Sequence, residues 1–136
     1  MKGIKNWVNV MHDIQSEENV ETFLRQEIQE LLDELNCKFG TPTDKIKEMA
    51  DVVWCALALI ERMGYDSEKV MEKLRESNMS KTFKTYEAAE AELPEGGAVV
   101  EAGDYFVIMN SWNKIMKPKT FINMSKKEVD ECKYQP

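Results

Sequence analysis

One histidine and three cysteines in 136 residues remove several metal chemistries at once. Zinc sites draw on clustered cysteine and histidine. Here Cys37, Cys55 and Cys132 stand far apart, match no zinc spacing, and His12 is alone. Carboxylate di-iron centres in helical bundles require Glu-x-x-His on paired helices, and no such histidine exists. Long apolar runs are missing as well. None reaches the length that spans a bilayer, and MKGIKNWVNVMHD has no signal-peptide apolar core. Together with unpaired thiols this gives the expectation of a cytoplasmic protein without membrane contact. Positive charge is also scarce, 18 Lys and Arg against 25 Asp and Glu, for a net −7. That balance argues against nucleic acid polymers and anionic membranes as partners. Nucleotides stay open, because a bound divalent cation reverses the local sign.

What is present describes an ordered globular chain: 43% apolar and 32% charged residues, neither figure that of a disordered sequence. No repeat, low-complexity tract or separating linker interrupts it. The expectation is one domain over 1–136, with a helical core over about 3–92 and a hairpin with a following segment over about 97–122.

Ile4, Trp7, Val8, Met11 and Ile14 recur at helical steps. Ser16 with Glu17 and Glu18 marks the start of a second helix running to about Cys37, its apolar face Val20, Leu24, Ile28, Leu31 and Leu35. Thr41 or Thr43 caps a third helix over roughly 44–63 that stops at Gly64. A fourth starts at Asp66-Ser67, turns Val70, Met71 and Leu74 inward and ends near Lys81; a short piece covers 85–92. Val99-Val100 and Tyr105–Met109 read as a hairpin, with a third strand near Ile115-Met116. The polar chain from 125 onward reads as loose. The fold class is therefore all-α, a four-to-five-helix bundle with a small C-terminal β-hairpin.

The chemistry lies in carboxylates at unexpected places. From Met49 to Ile60 the third helix reads MADVVWCALALI, apolar all round, and Asp51 is its only charge. An ionised carboxylate in such a setting is costly unless paired or metal-bound. Glu48 shares its face, which continues through Cys55 and Leu59. On the second helix Glu27, Glu30 and Glu34 form one stripe along the edge of the apolar face, with no Lys or Arg alternating among them. A short 38–43 connection makes the two helices antiparallel neighbours and brings Glu27, Glu30, Glu48 and Asp51 together. Hard oxygen ligands in that number suit Mg²⁺, or Mn²⁺. A structural ion network is the bland alternative, since Glu-x-x-Glu alone is more often a solvated face.

With these residues in view, the sequence resembles the all-α nucleoside triphosphate pyrophosphohydrolases, the MazG-like, dimeric dUTPase-like and phosphoribosyl-ATP pyrophosphohydrolase-like proteins. The resemblance covers about residues 8–122. It rests on Glu27-Ile-Gln-Glu30 and Glu48-Met-Ala-Asp51 in the contexts EIQELLDEL and EMADVVWCALALIERMGYD, on ESNMSKTF, and on NKIMKPKTF, similar to small phage and bacterial members. One departure stands out: Gln26 precedes Glu27 where many relatives have a second glutamate. The resemblance implies Mg²⁺-dependent hydrolysis between the α- and β-phosphates, giving a nucleoside monophosphate and pyrophosphate, in a homodimer or homotetramer. It implies Glu27, Glu30, Glu48 and Asp51 as ligands, with Glu27 also deprotonating the attacking water. It further implies sugar or phosphate contacts from Asn78 and Lys81, which on spacing alone would read as a helix end complementing its dipole. Lys114 and Lys117 lie in a segment expected near the phosphates. His12 and Trp7 are candidates for a base pocket, although for Trp7 the core is the stronger reading, and Trp54 reads as packing. The alternative function is a non-catalytic helical oligomer that binds a nucleotide or a partner protein. A phosphoribosyl-ATP hydrolase is a third possibility with the same chemistry.

Overall fold

The computed structural model describes residues 3–119, 121 and 124–135. They are mostly helical, with a two-stranded antiparallel hairpin. The chain forms two compact units. One runs from the N-terminus to Lys69 and takes in the chain from Cys132 onward; the other is Val70–Glu131.

In the first unit, α1 is Ile4–Met11, α2 Glu17–Leu35 and α3 Pro42–Arg62. The starts of α2 and α3 are local chemistry. Ser16 accepts from the Asn19 amide in a capping box that opens α2, and Thr41 with Asp44 does the same for α3, whose first residue is Pro42. Thr41 is thus the cap of α3. Gly64, at φ 93°, follows the end of α3 in the left-handed conformation that stops a helix. The α2–α3 connection is tight: a Cβ on Gly40 would meet Glu34 Oε1 at 2.6 Å. The core gathers Ile4, Val8, Val20, Leu57, Ala58 and Leu59, with Trp7 set edge-on to Trp54 at a centroid distance of 5.8 Å.

Two expectations fail here for one reason. Ile28 and Leu35, expected inward, are exposed, and so are Met49 and Val53 of the apolar third helix. The eight residues of α1 extend about 12 Å, whereas the 21 of α3 extend about 31 Å. The buried α3 residues are accordingly Leu57, Ala58, Leu59 and Glu61, at its C-terminal end. Ile14 lies beyond α1 and is exposed.

The polar chain after 125 is not loose. Ser125 and Glu128 form a capping box for a five-residue helix, α6, Lys126–Asp130. In the first unit the chain then pairs by backbone: the Asp66 amide donates to the Cys132 carbonyl at 2.8 Å, and the Tyr134 amide to that of Gly64 at 2.9 Å. Cap chemistry and backbone pairing hold this segment without an apolar stripe, which is what the sequence expectation had looked for.

Helix α4, Ser67–Met79, begins in the first unit and runs into the second. Its Met71 and Leu74, expected inward, keep substantial exposure. The second unit continues with α5, Tyr86–Glu90, then β1, Ala98–Ala102, and β2, Tyr105–Met109. A two-residue loop with Gly103 at φ 60° joins the strands, as a II′ hairpin turn requires. Phe83 extends the pairing on the far edge of β2 through both of its backbone bonds with Phe106. The expected third strand reduces to one bridge, Met109 to Ile115, with the Met116 amide donating to Ile108 at 2.7 Å. Thr120 and Ile122, at the end of the segment expected over 97–122, lie outside the described residues. Among the described residues no helix is long and apolar enough to cross a membrane.

Candidate metal centre

Glu27 lies eight residues before the end of α2; Glu48 and Asp51 lie six and nine after the start of α3. At about 1.5 Å per residue these are nearly equal heights above a six-residue connection. Helical phase turns them toward each other. Glu27, Glu48 and Asp51, all half-buried, each offer a carboxylate oxygen within 4.8 Å of the other two.

Glu27 Oε2 and Glu48 Oε2 are buried and accept no hydrogen bond. The other two such atoms among the described residues, Gln15 Oε1 and Arg62 Nε, flank one small apolar void beside Trp7, Val8 and Ala58. Those are an acceptor and a donor, which can answer each other. Two carboxylate oxygens cannot. They require a proton or a cation. Glu27 responds as expected: burial, above all, then a hydrogen bond to Glu30 and repulsion by Glu30, Asp51 and Glu48 raise its carboxyl above the ordinary 4.5. Cys55, one turn along the same face, has its thiol pushed up by burial and by Glu27, Asp51 and Glu30, so it stays protonated.

A divalent ion fits this donor set. Opposite oxygens on an octahedral Mg²⁺ are about 4.2 Å apart, twice the usual bond length, so the 4.8 Å spread closes by small side-chain rotations. Three carboxylates would leave the remaining positions of an octahedral ion open, and Mg²⁺ ordinarily keeps several waters.

Not every expected ligand is in that set. Glu30 is exposed and lies outside the three-oxygen group, while interacting directly with Glu27. A residue the sequence reading passed over enters instead. Lys47 Nζ stands 3.8 Å from Glu48 Oε1 and 3.9 Å from Asp51 Oδ2. Its position four before Asp51 is the sequence signal, an i,i+4 pair on one helix face just ahead of the apolar stretch that starts at Met49.

The remaining candidates lie elsewhere. His12 is exposed and contacts Asp13 at 3.4 Å. Trp7 and Trp54 pack at the core. In the second unit, Lys81 Nζ donates to Asn78 Oδ1 at 3.3 Å, and Lys81, Lys114 and Lys117 line one cleft. No family model matches the chain, and no curated protein or solved structure matches it.

Proposed function

We propose that the chain is a cytoplasmic, Mg²⁺-dependent nucleoside triphosphate pyrophosphohydrolase built on a small helical bundle. What carries this reading is the pair of buried, unpartnered carboxylate oxygens, Glu27 Oε2 and Glu48 Oε2, contributed by two helices to a set that includes Asp51. Two anionic acceptors buried side by side carry a desolvation and repulsion cost, and a bound cation offsets it while leaving both carboxylates ionised.

Glu27, Glu48 and Asp51 hold the cation, with Glu30 beside them as the fourth acidic group. When bound, Mg²⁺ (or Mn²⁺) neutralises phosphate oxygens and polarises water. The residues' own work is to fix that position from two rigid helices and to exclude solvent from the inner oxygens. Glu27, whose carboxyl is raised above its ordinary value by burial above all, accepts the proton of the attacking water at a carboxylate oxygen. The products are a nucleoside monophosphate and pyrophosphate.

The active form is a homodimer or homotetramer. Support comes from the apolar side chains left exposed on the helices that carry the site: Phe23, Ile28, Leu32 and Leu35 on α2, Ile46, Met49 and Val53 on α3. A non-catalytic oligomer is the second reading, favoured by the Lys47 pairing, which supplies Glu48 and Asp51 with a cation of the chain's own. Incubation with each NTP and dNTP, modified bases included, in Mg²⁺ separates them by pyrophosphate release. The enzyme turns over at least one substrate, and Asp51→Asn lowers that turnover by about 100-fold or more while leaving the fold intact. A silent panel would overturn the catalytic reading.

A further inference from the structure

Bonds on the far side of β2 fix which residues of β1 face outward. The Phe83 amide donates to the Phe106 carbonyl at 2.8 Å, the Phe106 amide to that of Phe83 at 2.7 Å, and the Met116 amide to that of Ile108 at 2.7 Å. Phe106 and Ile108 therefore turn their backbone groups away from β1. Their register partners, Glu101 and Val99, turn theirs away from β2, while Val100 and Ala102 bond inward. Among the described residues nothing meets the outward amides and carbonyls of Val99 and Glu101. One edge of the hairpin is filled, and the other is open.

The open edge also carries one sign of charge. From Thr85 to Asn113 there are six acidic residues and no Lys or Arg. Glu101 lies on β1, with Glu95 before the strand and Asp104 after it. All three are exposed, and none is ion-paired among the described residues. Val100, on the opposite face from Glu101, keeps 39% exposure. A second copy of the same strand is a poor occupant. Antiparallel pairing about Val100 sets the two Glu101 side chains diagonally on one face, about 7–8 Å apart, and pairing about Glu101 sets them directly opposite. Either arrangement repels. A strand of the other sign meets no such cost.

We propose that the outer edge of β1 receives an extended basic segment of a partner protein as a third strand. Main-chain bonds to Val99 and Glu101 supply the affinity, and side chains make the choice, as in other cases of strand addition. A lysine or arginine stands opposite Glu101, and a β-branched residue opposite Val100. Short length and charge ordinarily shield such an edge from indiscriminate pairing; here the charge selects the partner. The proposal concerns the second unit alone, uses none of the metal ligands, and goes beyond the hydrolysis by giving the chain a protein partner.

Calorimetry and amide exchange on the full chain test it, with a short blocked peptide of alternating lysine and valine as the probe. In the free chain the Val99 and Glu101 amides exchange fast and those of Val100 and Ala102 slowly. The peptide binds and slows the first two. Val99→Pro removes an outward N–H and leaves the bonds to β2, a change an edge strand tolerates. That variant and Glu101→Lys each weaken binding about tenfold or more. Glu76→Lys, the same charge change at an exposed position of α4, stays within about twofold. A peptide N-methylated along its pairing edge does not bind, nor does one of glutamate and valine. Amide spectra check each fold, and Glu101→Lys decides alone if Val99→Pro unfolds. Folded wild type that ignores the lysine–valine peptide overturns the proposal. Equal binding of the N-methylated peptide, or an equal loss in Glu76→Lys, overturns it in favour of a diffuse acidic field. A dimer that Val99→Pro dissociates gives the edge to a second copy instead. A silent substrate panel removes the hydrolase and leaves this edge standing.

Discussion

Two buried acidic places in the first unit are treated in opposite ways. Glu61, 8% exposed, is fully answered: Oε1 accepts from the Tyr134 hydroxyl at 2.6 Å and Oε2 from the Ser67 amide. Glu27 and Glu48 are only half-buried, yet each keeps an oxygen with no partner. The same functional group therefore closes a structure in one place and leaves it open in the other. A satisfied carboxylate has already spent its lone pairs on the fold. The unsatisfied pair still has lone pairs that a proton or a cation can take up.

The largest effect should appear at the closed site. Tyr134→Phe leaves a buried carboxylate short of one donor, and a hydrogen bond to a charged group is worth about 1.5–3 kcal/mol. Glu61→Gln places an amide against the Ser67 amide or the phenol and should cost about as much. Urea denaturation reads both losses, and the midpoint gain on adding MgCl₂ should match wild type in each variant. Burial and the Glu61 carboxylate hold the Tyr134 phenol above its ordinary value, so the bond persists through neutral and mildly alkaline pH. Should either variant prove as stable as wild type, the contrast between the two places loses its structural half.

At the open site the effect is smaller and depends on pH. Glu27 has its carboxyl raised above 4.5, so the folded chain holds that proton where the unfolded chain has released it. Its stabilising contribution is then full below the ordinary value and is lost as pH rises through the raised one. In EDTA, wild type should fall behind Glu27→Gln by a few degrees in Tm as pH is taken from about 4.5 to 7. Saturating Mg²⁺ should reverse that order near neutral pH, because the ion favours the ionised form and stabilises only the chain that can hold it. Parallel pH curves for the two proteins in EDTA would contradict the assignment.

Much of this was readable from local signals. Ser16, Thr41-Pro42 and Gly64 mark helix ends by chemistry confined to a few residues, and Gly103 marks the hairpin. The meeting of Glu27 with Glu48 and Asp51 followed from helical phase and a short connection. What could not be read is either long-range or a matter of relative length. Tyr134 and Glu61 are 73 residues apart, and nothing in a polar tail announces that its backbone will pair. The exposure of Ile28, Met49 and Val53 depends on how short α1 is beside α3, which periodicity within each helix does not reveal. Glu30 belonged to the motif, yet its oxygen lies outside the group formed by the other three. Motif spacing fixes a face of the helix but not the reach of each side chain.

Lys47 is the finest test of whether the open site is open. Its ammonium lies on the outer oxygens, Glu48 Oε1 and Asp51 Oδ2, while the orphaned Glu48 Oε2 lies inward. If it merely neutralises surface charge, Lys47→Gln removes a competing positive charge, and Mg²⁺ affinity should rise two- to fivefold. That matches a pair worth about 0.5–1 kcal/mol at an exposed position. Stability in EDTA should fall by less than about 1 kcal/mol, since the carboxylates lose a weak partner. A several-fold drop in Mg²⁺ affinity would give Lys47 a different part, that of a strut holding Glu48 and Asp51 at the spacing an ion requires. The two outcomes have opposite signs, so one titration decides between them.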